Sequence, residues 1–237
     1  MMRRIHLTET ASTNTYARSC SGEDTPLLIT ADYQTAGRGQ RGNTWEAEAR
    51  KNLLLSLAIH PQGIAITQQF ALSQHVSVAL CKTLGRYTDS IRIKWPNDIY
   101  WHDKKIAGIL IEHDIEGDKL IRSIIGIGLN VNQVHFTSDA PNPVSLCQIL
   151  GHEVDREELL TTLCHEILQP STKDDTEELH HRYTALLYRL KKPGLYRDAE
   201  GTFTAQIHHV EPDGHLILED TEGKRRSYLF KEVTYVI

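Results

Sequence analysis

Gln34-Thr35-Ala36-Gly37-Arg38-Gly39-Gln40-Arg41-Gly42-Asn43-Thr44-Trp45 packs three glycines and two arginines into one loop, and Asn52-Leu53-Leu54-Leu55-Ser56-Leu57-Ala58-Ile59-His60 follows closely behind it. The glycines free the backbone for tight turns and the guanidinium groups supply fixed positive charge, so the loop suits an anionic ligand such as a phosphate. Formally, Gly37 to Gly42 matches G-x-G-x-x-G. That dinucleotide fingerprint needs a long helix opening at its third glycine, because the helix N-terminus holds the pyrophosphate. Here only the short Trp45 to Lys51 stretch precedes an apolar run suited to a strand. The doubly wound dinucleotide fold is therefore excluded. The missing Gly-Lys-Ser/Thr excludes a P-loop as well.

Working outward, Leu27 to Tyr33 reads as a buried strand that delivers the loop. Before it, strand-like Arg4 to Leu7 leads into Ser12-Thr13-Asn14, good helix N-caps for a helix starting at Thr15 to Arg18. Downstream, Thr67 to Tyr87 places Leu72, Val76, Ala79, Leu80, Leu84 and Tyr87 at helical steps of three and four. Ile91 to Trp95 alternates like a strand, stopped by Pro96 because proline cannot donate to a ladder. Lys104 to Glu112 and Ser123 to Asn132 read as further strands, and links this short make them antiparallel neighbours. Gly108, Gly126 and Gly128 inside these strands imply bulges or the close approach of a ligand or backbone. Pro143 to Leu150, a helix capped near Asp155 and using Leu159, Leu163 and Ile167, and Asp174 to Leu190 with Leu179, Tyr183, Leu186, Leu187 and Leu190 complete a helical region. After Lys191-Lys192-Pro193-Gly194 the texture changes to short alternating segments, Thr202 to Val210, Gly214 to Asp220, Lys224 to Leu229 and Val233 to Val236, the pattern of a small antiparallel barrel. The expected architecture is α+β, a mixed or antiparallel central sheet with helices over residues 1–190, then a barrel over 191–237.

Composition narrows the functional classes. A net charge of -5 argues against a protein that lives on nucleic acid. No run approaches about twenty apolar residues, so no membrane span is expected. Cys20, Cys81, Cys147 and Cys164 are scattered without a C-x-x-C pair, which suits reduced thiols in a cytoplasm. None of the thirteen histidines shows H-E-x-x-H spacing, and no metal-ligand set is expected.

The polar groups at the breaks of the central sheet are Arg38, Arg41, Lys94, Asn97, Asp98, Lys105 and Asn130. They offer cations for a phosphate and a carboxylate, and amides for a neutral heterocycle. With no Ser-His-Asp or Cys-His order, catalysis by charge placement around a phosphoryl group is favoured over a protein nucleophile. Any one of these cations alone reads as a solvated surface charge; their restriction to glycine- and proline-marked bends favours function.

Five motifs in register, Ser12-Thr13-Asn14, Gly37 to Trp45, Lys94-Trp95-Pro96-Asn97-Asp98, Lys105-Ile106-Ala107-Gly108-Ile109-Leu110 and Gly126-Ile127-Gly128-Leu129-Asn130, resemble those of biotin protein ligases. The resemblance covers essentially the whole chain, including Phe230-Lys231-Glu232-Val233. It implies a class II synthetase-like catalytic domain followed by an SH3-like barrel. It also implies an enzyme that activates biotin with MgATP and transfers it to one lysine of a biotin carboxyl carrier domain. Carried over by motif, Ser12, Thr13, Asn14 and Gln34 line the ureido end of biotin, and the Gly37, Arg38, Gly39 and Gln40 backbone covers it. Lys105 sits at the carboxylate and α-phosphate, while Gly108, Leu110 and Gly126 floor the pocket. Arg41, Trp45, Asn97, Lys105, Ile127, Gly128 and Asn130 form the ATP side. Lys105, Arg38 and Arg41 supply catalytic charge with Mg²⁺, and Asp98 orients or deprotonates the incoming lysine.

Two features set this chain apart within the resemblance. The loop's fourth position is commonly arginine in that family; Gln40 keeps hydrogen bonding but loses a charge beside the phosphate. Ser12 lies too near the start for the helix-turn-helix that some members carry, so a ligase without DNA binding is expected. An exposed edge of the central sheet leaves room for a homodimer. The rivals are a lipoate or octanoate ligase, which needs a more apolar acyl pocket, and a non-enzymatic biotin sensor, which does not need Lys105 or the arginine loop.

Overall fold

The computed structural model describes residues 2–20, 26–61, 64–138, 142–169 and 176–237, without the side chain of Arg41. Its larger sheet has the order β1-β2-β3-β7-β6-β5-β4. Strand β1 (Arg3–Thr10) runs parallel to β2 (Leu27–Gln34), with helix α1 (Thr13–Ser19) between them. Every other pairing is antiparallel, through β3 (Leu53–Ile59), β4 (Ile91–Lys94), β5 (Asp98–Trp101), β6 (Lys104–Glu116) and β7 (Lys119–Leu129). The expected mixed sheet is what forms. β3 is apolar on both faces apart from Ser56, because it is covered on both sides. Leu53, Leu55 and Leu57 join the main core, whereas Ala58 packs with Ala17, Leu27, Ile29 and Ile124 under α1.

The main core is closed by α2 (Gln69–Leu84), α4 (Arg156–Ile167) and α5 (Thr176–Ala185), with the short α3 (Leu146–Leu150) before them. The apolar stripe of α2 is buried as its spacing predicts. Its first expected turn is a 3₁₀ turn at Ile66–Gln68, and the helix stops at Leu84. α3 carries a full capping box between Ser145 and Gln148, and Asp155 caps α4 by accepting from the Glu157 and Glu158 amides. α5 is shorter than the spacing suggests, and Asp174 lies outside the described residues. Leu186, Leu187 and Leu190 leave the helix because the chain is captured by the free edge of β4. The Ile93 amide donates to Leu186 O at 2.9 Å, and the Tyr188 amide donates to Ile93 O at 2.8 Å. The edge strand thus satisfies groups that one more helical turn would otherwise have used.

The second sheet, of order β11-β10-β9-β8-β12, is antiparallel throughout. Its strands are β8 (Gly194–Asp198), β9 (Gly201–Val210), β10 (Leu216–Asp220), β11 (Arg225–Tyr228) and β12 (Thr234–Val236). β8 falls in the Gly194 stretch where the sequence marks only a change of texture. Closure into a barrel is not observed: among the described residues no pairing joins β11 to β12, and the sheet stays open. Its inner face packs on the same core, with Tyr196, Ile207, Leu216 and Leu218 fully buried beside Ile93 and Tyr188. Among the described residues no helix is long and apolar enough to cross a membrane.

Glu166 ties α4 to α2. Its side chain is 6% exposed and meets Lys82 Nζ at 2.8 Å and Arg86 Nη2 at 2.9 Å. The hydrogen bond from Lys82 outweighs burial and holds the carboxyl below its ordinary 4.5. A depressed carboxylate contributes stability above its unfolded-state value and loses it as pH falls through the folded one. We therefore expect Glu166→Gln to cost about 1 kcal/mol at neutral pH and to flatten the acid limb of stability, read by urea unfolding from neutral pH down to below about 4. Parallel wild-type and variant limbs would show that the pair contributes nothing.

Candidate active site

The first turn of α1, the glycine loop, the bend between β4 and β5, the middle of β6 and β7, and residues 230–235 of the second sheet converge on one cleft of about 470 Å³. Ser12, Thr13, Asn14, Gln34, Arg38, Gly39, Gln40, Trp45, Asn97, Asp98, Lys105, Gly108, Leu110, Gly126, Ile127 and Gly128, all drawn from the motifs, line it together. Gly37 and Asn130 do not, and the side chain of Arg41 lies outside the described residues. Gly37 sits behind the lining, accepting the Trp45 amide at 2.9 Å. Asn130 is buried, donates to Val144 O at 3.2 Å, and keeps Oδ1 without a partner. Its place is under the floor of the cleft.

At the polar end, Ser12 occupies the N-cap position of α1 in an extended conformation, yet its side chain makes no capping bond. Capping alone therefore does not account for it. The Thr13 amide and hydroxyl both donate to Gln34 Oε1, at 2.7 and 3.1 Å. Ser56 Oγ lies 2.7 Å from Thr13 Oγ1 and 2.6 Å from Asn14 Oδ1. One hydroxyl carries one proton, and Asn14 Oδ1 can only accept, so Ser56 gives its proton there. Asn14 Nδ2 in turn donates to Leu110 O at 3.2 Å and to Glu112 Oε2 at 2.8 Å. Both Asn14 N–H donors are thus committed within the protein, leaving Ser12, Thr13 and Gln34 with the remaining acceptor capacity of Asn14 Oδ1 as the hydrogen-bonding face.

The glycine loop forms a narrow flap. Arg38 bridges Thr44, the Gly39 amide donates to Asn43 O at 2.7 Å, and Gln40–Gly42 makes a 3₁₀ turn. Gly42 needs its glycine, since its φ is +86°. The flap delivers the Trp45 indole onto the sheet, directly over two glycines. A Cβ at Gly128 would lie 2.4 Å from Trp45 Cε2, and one at Gly108 would lie 3.0 Å from Cζ3. A Cβ at Gly126 would lie 2.3 Å from Asn14 Oδ1. The three strand glycines thus make room for two side chains of the site itself.

The opposite wall is cationic. Lys105 Nζ pairs with Asp98 Oδ1 at 2.7 Å and stands 5.6 Å from the centre of the Trp45 ring. Lys94 Nζ lies 3.1 Å from Tyr100 Oη and faces the rings of Tyr100 and Tyr235 at 4.9 and 5.2 Å. Burial is the main influence on Lys94 and lowers its pKa, against the opposing pull of Asp98. Asn97 is structural as much as polar: its amide donates to Ile109 O at 2.5 Å, and its carbonyl accepts the Ile109 amide at 3.0 Å. Arg38 Nη2 pairs with Glu112 Oε2 at 2.9 Å instead of pointing freely into the cleft. Lys94, Lys105, Arg38 and Lys231 against Asp98 leave the cleft positive, suited to bringing anions together.

Sequence reasoning missed Ser56, Glu112, Tyr100 and the wall formed by Val233, Thr234 and Tyr235. Ser56 had a signal, being the one polar residue inside an otherwise apolar strand. Glu112 had a weaker one, lying two residues beyond Leu110 and so on the same face of β6. Tyr235 had none, because nothing in the sequence says that β12 returns to the first sheet.

Residues 2–130, which hold nearly all of this cleft, match the model of the biotin/lipoate A/B protein ligase family. The chain belongs to that family. Across this ligase, identity to the bifunctional ligase/repressor BirA of Bacillus subtilis is 32%, over 92% of the chain and 70% of the relative. Identity to the biotin–[acetyl-CoA-carboxylase] ligase of Paracoccus denitrificans is 30%, over 92% and 95%. In fold it is similar to the biotin protein ligase from Aquifex aeolicus in complex with biotin and ATP, with a TM-score of 0.79, 24% identity, and 99% and 98% coverage. In this family member the strand glycines have a measurable job. Gly126→Ala is expected to unseat Asn14 and cost about 1–3 kcal/mol of stability in denaturant unfolding, as overpacking does. An unfolding curve superimposable on wild type would mean that Asn14 is not held against β7.

Proposed function

We propose that the chain is a biotin protein ligase that uses MgATP to form biotinyl-5′-AMP and passes biotin to a lysine of a biotin carboxyl carrier domain. The observation that carries this reading is one cleft with a neutral hydrogen-bonding end at Ser12, Thr13 and Gln34 and a cationic wall at Lys105 and Lys94. Its volume of about 470 Å³ falls in the range of small-molecule sites. The biotin-named relative from Paracoccus denitrificans and the biotin- and ATP-bound Aquifex aeolicus structure support the same choice.

In the first step the biotin carboxylate oxygen attacks the α-phosphorus of ATP, a carboxyl–phosphate bond forms, and pyrophosphate leaves with the α–β bridging oxygen. Two anions must approach, and Lys105 is the fixed cation placed between them, oriented by Asp98. In the second step a carrier lysine amine attacks the acyl carbon, loses its proton, and AMP departs. Trp45, Ile127 and Asn130 are assigned to adenine, and Arg41, Asn97 and Gly128 are kept on the ATP side. Asp98 is spent on Lys105, so its help to the incoming amine comes through that pair. Among the described residues no cluster of metal-ligating side chains stands at the cleft. Mg²⁺ therefore enters on the phosphates of ATP with most of its own waters, a habit of this hard cation. We keep the division into a 1–190 catalytic unit and a 191–237 accessory unit, and a cytoplasmic site of action, as parts of this proposal.

A lipoate ligase is the nearest rival, and the hydroxyls of Ser12 and Thr13 with the Gln34 amide suit a ring bearing N–H and C=O better than a dithiolane. The test is incubation with MgATP, a carrier domain, and biotin or lipoate, followed by intact-mass measurement. A biotin-sized gain on one carrier lysine is expected; a lipoate-sized gain, or none, would reject the reading. Lys105→Ala should lower biotin-dependent pyrophosphate exchange by about 10²–10³-fold. Exchange near the wild-type rate would remove Lys105 from the reaction.

A further inference from the structure

Alternate residues of β6 share a face, so Glu112 continues the row of Gly108 and Leu110, two residues beyond the last of them to line the cleft. One of its oxygens, Oε2, accepts from Asn14 Nδ2 at 2.8 Å and from Arg38 Nη2 at 2.9 Å. The other, Oε1, lies 3.8 Å from Arg18 Nη2. Helix α1, the glycine flap and β6 therefore meet at a single carboxylate. Among the described residues no other side-chain hydrogen bond runs from residues 38–44 to the sheet. At the flap's base, the Thr35 and Ala36 amides hold it to Thr10 O and Ala11 O, and Trp45 lies on the floor. Between those anchors the Glu112–Arg38 pair is the fastening.

We propose that the Glu112–Arg38 pair is a clasp that shuts the flap over the acyl-adenylate and sets how long that intermediate stays bound, which makes Glu112 a positioning residue. The inference rests on the ligase reading above. A mixed anhydride is open to hydrolysis, so it must be kept from water until the amine arrives. The pair is suited to a clasp that opens every cycle: Arg38 is 45% exposed and Glu112 23% exposed. An ion pair so placed favours the shut flap without locking it. By bonding Asn14 as well, Glu112 closes the flap onto the same element that presents Ser12 and Thr13. Gln40 fits this division of labour. Its side chain is uncharged, so the charged hold on the flap comes from Arg38.

The experiment loads the full chain with labelled biotin and MgATP, isolates the complex by gel filtration, and follows release of the labelled adenylate during a chase with excess unlabelled biotin and ATP. Glu112→Gln and Arg38→Gln should each release it roughly two- to tenfold faster. The swapped pair, Glu112→Arg with Arg38→Glu, should release it more slowly than either single variant. Salt at about 0.5 M should speed wild-type release toward the variants' rate by screening the pair. Arg38→Gln leaves the Glu112 bond to Asn14 in place but also removes a charge the motif assigns to the reaction, so faster release counts for the clasp only together with recovery in the swapped pair. Wild-type release rates in both single variants overturn the clasp, as does a swapped pair no slower than the singles. If the wild-type chain forms no adenylate at all, the ligase reading fails instead.

Discussion

An alanine methyl at Gly126 would lie 2.3 Å from Asn14 Oδ1, and one at Gly128 would lie 2.4 Å from Trp45 Cε2. β7 is the central strand of the larger sheet, hydrogen-bonded to β3 on one side and β6 on the other. A central strand is the most constrained position in a sheet, and bare backbone there is costly in folding entropy. The site depends on that constraint. With no side chains at Gly126 and Gly128, Asn14 and Trp45 settle against main chain and define the two ends of the cleft. Ser56, on the neighbouring strand β3 opposite Gly126, then reaches both Thr13 and Asn14.

Charges in the cleft are arranged in pairs that differ in burial and therefore in duty. Lys105 and Asp98 sit in the cleft at about a quarter exposed and hold one another at 2.7 Å. Such a pair is oriented but still open to an anionic substrate, which strengthens the field at Lys105 when it replaces water. Lys94 is held differently, by aromatic faces and the Tyr100 hydroxyl, and burial disfavours its charge. A nearby anion would restore what desolvation takes from it. Arg38 lies farther out, paired with Glu112. The three cations therefore divide by their contacts: one paired with a carboxylate inside the cleft, one held among aromatic rings, and one tied to β6 through Glu112.

Much of this was legible in the sequence because glycine, proline and charge punctuate it. The strand after the loop excluded a dinucleotide fold, and the short links from Ile91 to Asn132 fixed an antiparallel run that the ladders reproduce. The site residues carried by motif largely converge, some from loops and bends and some from the middle of β6 and β7, where glycines leave the sheet face bare. What was not legible depends on tertiary contact. α5 ends at Ala185 because the edge of β4 takes the following residues, and no local propensity reports a vacant edge elsewhere. The second sheet alternates as a barrel would, but alternation sets which faces are buried and not whether the ends of the sheet meet. Asn130 lay in a motif and still does not line the cleft: β7 ends at Leu129, and the Asn130 side chain is buried and bonded to Val144 O.

The Trp95 indole N–H donates to Gly214 O at 2.9 Å, and Gly214 itself lies against Phe70, so a turn of the second sheet is seated on the first. Phe230, Lys231, Val233, Thr234 and Tyr235 then supply one wall of the cleft. The cleft is a property of the joint between the two sheets and cannot be passed on in pieces. A shuffled chain that kept the first sheet and exchanged the second would inherit the floor and the flap but would have to reinvent the wall. Drift in the last few residues of such a protein is thereby coupled to the shape of the cleft, although they lie about a hundred residues along the chain from its floor.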